Sequence, residues 1–185
     1  ENKTMKNTSG NFAVAYLNHG TAPQKAQYEY LIMLEAASAQ IEACKKGDKG
    51  YQLITQTRDA HIVYFPVEGI RVYAFFETYS NDKDPYVLQS DAETMVMLRQ
   101  ADQDLKLSIC SPDINQTQHE YTNPQESQPV QRTIRLKGEW EEKRGAERAS
   151  LSSGNGYTDV TVPCQHGQPV EVTLSPLATS TPDAD

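Results

Sequence analysis

No stretch of this 185-residue chain approaches the roughly 18 consecutive apolar residues that a membrane-spanning helix needs, so a soluble chain is the expectation. Positive charge is in short supply: 17 Lys and Arg stand against 25 Asp and Glu, a formal net charge of -8. Such a field repels nucleic acid, anionic membrane and sulfated polysaccharide alike, so any polyanion contact has to be local. Cysteine is also scarce. Cys44, Cys110 and Cys164 are odd in number and widely spread, which fits neither zinc-ligand spacing nor a disulfide framework. Free thiols are the expectation, with a bridge from Cys110 to Cys164 between two strands as the alternative. P-loop, GxGxxG, GxSxG and HExxH patterns are absent, which removes support for nucleotide-binding, α/β-hydrolase and zincin readings.

What is present is ordinary globular material, 37% hydrophobic and 23% charged, with a mean hydropathy of -0.66 that suits sheets with one wet face and long loops. Residues 12–17 read as a strand with Phe12, Val14 and Tyr16 on one face, and His19-Gly20 and Pro23 punctuate the loop after it. Residues 28–34 form a continuous apolar run, expected to be a strand buried on both faces. Ser38 as an N-cap and Gly47 after Lys45 and Lys46 bracket a short helix over 39–46. Strands over 51–57, 61–65 and 71–77 then make an antiparallel meander. Polar residues before Pro85 mark 79–84 as a domain boundary.

Beyond it, 86–89 and 95–100 read as strands, and 105–110 places Leu105, Leu107 and Ile109 on one face with Lys106 and Ser108 opposite. The polar segment 116–128 is expected to be a surface connection. Ile134, Leu136 and Trp140 fall on one face at period two, with Gly138 allowing a bend, and Trp140 is the expected core anchor. Val160, Val162 and Cys164 are expected to pair with Val170, Val172 and Leu174 as a hairpin around His166-Gly167. Residues 178–185 close the chain as a disordered tail.

Chemistry-bearing clusters are weak. The histidines His19, His61, His119 and His166 sit in separate turns or strands, and His19 with Gly20 fits a tight turn better than a catalytic role. Tyr28, Tyr30, Tyr64 and Tyr73 lie in expected strands, where aromatics pack. Asp82 with Asp84, and Asp102 with Asp104, supply too few oxygens each for a calcium cage. No metal site or cofactor is therefore expected. The basic run Arg132, Arg135, Lys137, Lys143, Arg144 and Arg148 is interrupted by Glu139, Glu141, Glu142 and Glu147, which favours a solvated face over a polysaccharide groove.

Two blocks carry a family resemblance. HGxxPxxxxYxY runs from His19 to Tyr30, and LKLSICSPDIN, RTIRLKGEW and PVEVTLSPL follow in order. Together they resemble the last strands of the central domain and the C-terminal β-sandwich of the polysaccharide lyases that cleave chondroitin and hyaluronan, and most nearly the bacterial chondroitin sulfate ABC lyases. The resemblance implies an all-β fold: the end of an antiparallel supersandwich over 1–84, a C-terminal antiparallel β-sandwich over 85–177, and one short helix. In that family the catalytic tyrosine and its His and Arg or Asn companions come from a preceding helical toroid, and a glutamate comes from earlier in the sheet domain. No catalytic residue is carried over to this chain, and its substrate-binding residues remain unassigned.

The implied role is structural, within a secreted or periplasmic enzyme that degrades chondroitin and dermatan sulfate by β-elimination. Its partners would be the remainder of the parent lyase and, through it, an acidic polysaccharide, with no nucleic acid or membrane. A non-catalytic carbohydrate-binding β-sandwich is the alternative, and exposure of Trp140 would discriminate the two.

Overall fold

The computed structural model describes residues 10, 16–113, 127–145 and 149–177, with the side chains of 144 and 145 left out. The expected tail over 178–185, most of the strand over 12–17 and most of the connection over 116–128 lie outside the described residues. Internal contacts divide the chain into residues 1–41 and 42–185.

In the first unit, residues 28–34 form neither helix nor strand, and Tyr30, Ile32 and Leu34 are exposed. The expected doubly buried strand is therefore corrected. An apolar run becomes a strand only when a neighbour accepts its backbone hydrogen bonds, and no described segment pairs with this one. The helix α1 (Ser38–Lys45) spans the point of division. Ala37, not Ser38, stands at its N-cap: its carbonyl accepts from the Gln40 and Ile41 N–H groups, and Gln40 Oε1 reaches back to the Ala37 N–H at 2.8 Å. That is the reciprocal half of a capping box.

The second unit is a two-layer antiparallel sandwich. Its strands are β1 (Gln52–Gln56), β2 (Ala60–Phe65), β3 (Ile70–Phe75), β4 (Tyr79–Ser80), β5 (Val87–Ser90), β6 (Thr94–Ala101), β7 (Asp104–Cys110), β8 (Val130–Lys137), β9 (Trp140–Gly145), β10 (Ser150–Gly154), β11 (Tyr157–Cys164) and β12 (Val170–Pro176). One sheet has the order β1-β2-β3-β6-β7-β12-β9, the other β10-β11-β8-β5-β4. Alternation dictates the layering. On β6, β7, β8, β11 and β12 every second side chain is buried, and these inward rows interleave as a single core that includes Tyr73, Phe75, Leu98, Leu107, Ile134, Val160 and Leu174. Each fully buried Leu, Ile or Phe contributes about 1.5–3 kcal/mol against the exposed state.

Three expectations change. Strands on either side of 79–84 share one sheet, because β3 pairs with β6 from Ile70 opposite Arg99 to Phe75 opposite Thr94. One seven-stranded sheet thus takes strands from both sides of 79–84; the chain passes to the other sheet over 76–78, and 81–86 is the turn between β4 and β5. The segment from Val160 to Leu174 is not a hairpin: β11 pairs with β8 and β10, whereas β12 pairs with β7 and β9. Both strands bury their alternate residues, so the two rows meet across the core and the turn around His166-Gly167 joins layers.

Trp140 likewise leaves the row of Ile134 and Leu136, since β8 and β9 belong to different sheets. The chain crosses at Gly138, whose φ of +91° is a conformation that side chains with a Cβ resist. Trp140 is half-buried against the core rather than fully enclosed, and its Nε1–H donates to the Lys137 carbonyl at 2.8 Å.

This crossing is held by one inward threonine. Thr158 Oγ1 accepts from the Trp140 N–H at 2.9 Å and donates to the Gly138 carbonyl at 3.0 Å, standing in for a strand neighbour that the bend removes. Thr158→Val, nearly isosteric, should therefore cost about 1–3 kcal/mol in urea denaturation by orphaning the Trp140 N–H. Gly138→Ala should cost a comparable amount, about 1–2 kcal/mol, through its positive φ, and a Cβ there would stand 3.2 Å from Trp140 Nε1. Unchanged midpoints in both variants would show that the crossing is not anchored here.

Candidate functional site

A buried polar constellation lies where β3 meets the 81–86 turn between β4 and β5. Arg71 and Tyr73 are two apart on β3 and share its inward face, so the sheet delivers a cation and a phenol into the interior. Asp84, 4% exposed, meets them from the turn between β4 and β5. It accepts the Tyr73 hydroxyl at 3.0 Å and the backbone N–H groups of Tyr86 and Val87 at 2.9 Å each, and lies 3.8 Å from Arg71 Nη1. The Arg71 guanidinium sits over the Tyr64 ring at 4.7 Å and the Tyr86 ring at 5.9 Å. The Tyr86 hydroxyl bonds Gln100. Burial, then the Asp84 charge, push the Tyr73 phenol far above its usual range, so it stays a neutral donor and is no candidate base.

A second constellation joins the layers near the opposite end of the inward rows. Arg132, on the inward face of β8, donates to the Glu93 carbonyl at 3.0 Å, the Gln131 carbonyl at 3.1 Å and Ser111 Oγ at 3.3 Å, and pairs with the Glu93 carboxylate. Other members of the basic run are similarly engaged. Arg135 grips Asp159 through Nε at 2.7 Å and Nη2 at 2.8 Å, and this bond raises its pKa. Lys143 bonds Asp104 at 2.8 Å. The side chains of Arg144 and Arg148 lie outside the described residues. The expected mixed, paired character of the run fits what is described, and nothing in it forms an open cationic groove.

The remaining sequence candidates scatter. In the first unit His19 is exposed beside the Tyr28 ring at 5.9 Å, and Asn18 Oδ1 accepts the Gly20 N–H at 2.8 Å to tie the turn. In the second unit His61 packs edge-on against Phe76 at 4.9 Å, and His166 stands in the turn after β11 with its N–H on Ser127 Oγ at 3.3 Å. His119 lies outside the described residues. Asp84 is the buried anchor just given rather than an exposed turn carboxylate. Asp104 is held below its usual pKa by hydrogen bonds from Lys143 and Ser175. Among the described residues no group of three metal-ligating side chains converges. Cys44, Cys110 and Cys164 are free thiols, and burial raises the pKa of Cys110 and Cys164.

The arrangement clamps two sheets together, and the groups that do so escaped sequence reasoning. Arg71, Asp84 and Arg132 are charged residues in strands or polar turns, which resemble solvent-facing positions. The available signal was phase: Arg71 and Arg132 fall in step with Tyr73 and Ile134, on the inward parity of their strands.

Two measurements follow from these contacts. Asp84→Ala should destabilise the fold by about 3–5 kcal/mol, because Arg71 loses its countercharge among the described residues and three donors lose their acceptor, whereas Tyr73→Phe should cost only about 1–2 kcal/mol. Equal losses in thermal unfolding would refute Asp84 as the hub. Asp104 has a depressed folded pKa, so its contribution is present above its unfolded value and lost as pH falls through the folded one. Carboxylate NMR titration should show Asp104 below an ordinary aspartate, and Lys143→Ala should move it upward.

No family model matches the chain. It is 28% identical over 183 residues to a chondroitin sulfate ABC endolyase of Proteus vulgaris, covering 96% of this chain and 17% of that protein. It is 34% identical over 116 residues to a chondroitin sulfate ABC exolyase of the same organism, covering 62% of this chain and 11% of that one. A chondroitin AC lyase structure from Streptomyces coelicolor A3 matches 86% of this chain and 19% of its own with a TM-score of 0.66 at 16% identity. The chain thus spans less than a fifth of each. Matched by sequence over nearly its whole length and by fold over most of it, the chain is similar to the chondroitin sulfate ABC lyases in sequence and to a chondroitin AC lyase in fold, a likeness that fits a C-terminal part of a polysaccharide lyase.

Proposed function

We propose that this chain is the C-terminal structural portion of a glycosaminoglycan lyase that degrades chondroitin and dermatan sulfate by β-elimination, exported to meet its extracellular polymer. The observation that carries the reading is the 96% coverage by a relative of that activity, of which the chain matches only 17%. Elimination at a uronate requires a base for the C5 proton, a group that neutralises the carboxylate and an acid for the leaving oxygen, all in one cleft. Tyr73, Arg71 and Arg132 are instead engaged between the layers.

The outer face of the seven-stranded sheet supports a partner of large area. A cross-strand row of Leu53, Val63, Val72 and Met97 is flanked by Ala74 and Met95 on one side and Phe65 and Ile70 on the other. Met95 and Met97 are 44% and 47% exposed. An apolar sheet face of this extent marks an interaction surface, and the remainder of the lyase is the partner we assign to it. The binding-module alternative loses its discriminating feature, because half-buried Trp140 spends its indole N–H on Lys137 and packs on the core.

Purified alone, the chain should leave the ultraviolet absorbance of a chondroitin sulfate solution constant, since elimination would create a conjugated double bond. A time-dependent rise would overturn the structural reading.

A further inference from the structure

The outer face of the five-stranded sheet differs in kind from that of its partner sheet. Strand register lines up Ser152, Asp159, Arg135, Gln89 and Ser80 in one row across all five strands. Beside it runs a second row of Ser150, Thr161 and Thr133, continued by Asp91, whose N–H donates to the Thr133 carbonyl at 3.1 Å. Both rows are wholly polar. Apart from Arg135 and Gln89 their side chains are short, and the surface dips into a cleft of about 410 Å³ bordered by Ser80, Gln89, Asp91, Thr133, Arg135 and Asp159.

A face selected only for solubility needs no such set, since long Lys and Glu side chains keep water as well. Here the hydrogen-bonding groups are prearranged. Arg135 is fixed in plane by Asp159 through Nε and Nη2 and by the Tyr157 ring 4.0 Å beneath it, which leaves Nη1 to donate outward. Asp159 and Asp91 retain acceptor lone pairs, Gln89 offers both a donor and an acceptor, and the Thr133 and Thr161 hydroxyls sit 3.0 Å apart. Neighbouring positions in a cross-strand row are about 4.8 Å apart, comparable with the span of a pyranose ring.

We infer that this face is a saccharide-binding subsite for uncharged pyranose units, with Arg135, Asp159, Gln89 and Thr133 as its hydrogen-bonding residues. The charge balance sets the ligand class. Arg135 and Asp159 cancel, Asp91 offsets Lys137 at the end of β8, and the chain carries a net -8, so the face offers no excess positive charge to hold a sulfate or uronate. Hydroxyl and N-acetyl groups meet donors and acceptors and need no such charge. The inference stands independently of the lyase reading, because it uses neither the apolar face nor any catalytic group.

The test is amide NMR on the whole chain, titrated separately with the tetrasaccharide of N-acetylglucosamine and with a sulfated chondroitin hexasaccharide. Shifts confined to β4, β5, β8 and β11, saturating with the neutral sugar at lower concentration than with the sulfated one, are expected. Arg135→Ala and Thr133→Val, both on the solvent face, should keep the fold, as judged by unchanged spectra elsewhere, and weaken neutral-sugar binding at least about fivefold, or about 1 kcal/mol. Thr133→Val is the safeguard should Arg135→Ala loosen the sheet. Absence of shifts, shifts on another face, tighter binding of the sulfated probe, or unaltered affinity in both variants would each overturn the assignment.

Discussion

The apolar layer shared by the two sheets is the constraint on which everything else in residues 42–185 depends. A sheet has two faces and a strand alternates between them, so each strand that contributes to the core commits its other residues to an outer surface. The chain therefore passes repeatedly between the layers, among other places over 76–78, over 91–93, at Gly138 and at the turn around His166-Gly167. In the turn between β4 and β5 and at the Gly138 crossing, the polar backbone exposed by leaving a ladder is satisfied by a single buried side chain, Asp84 in the turn and Thr158 at the crossing.

That division of labour also explains why the outer faces differ. The seven-stranded sheet turns Leu53, Val63, Val72 and Met97 outward, while the five-stranded sheet turns outward a charge pair, an amide and hydroxyls. The core does not require either pattern, since both lie outside it. One face suits a protein neighbour and the other suits a hydroxyl-rich ligand, so the two surfaces of the sandwich are suited to different partners.

Legibility in the sequence followed the same physics. The parity of Leu105, Leu107 and Ile109, or of Val160, Val162 and Cys164, was readable because burial enforces it residue by residue, and these side chains are indeed inside. Which strand lies beside which was not readable from parity, because a row of inward residues looks the same whether its partner is in the same sheet or across the core. That is why Val160 to Leu174 resembled a hairpin and why Trp140 seemed to continue the row of Leu136. The polar stretch before Pro85 read as a boundary because Asp84 has the composition of a linker residue, although its carboxylate is among the most enclosed polar groups described. The run 28–34 shows the converse: apolar content signals a need for cover, not that the cover is present.

The central claim is that these residues are one structural portion of a much larger lyase. The mass of the protein made from the intact gene tests it most directly. The account predicts a product several times the 20.7 kDa of this chain, as its 17% share of the Proteus vulgaris endolyase implies. A mature product of about the same mass as this chain would contradict it.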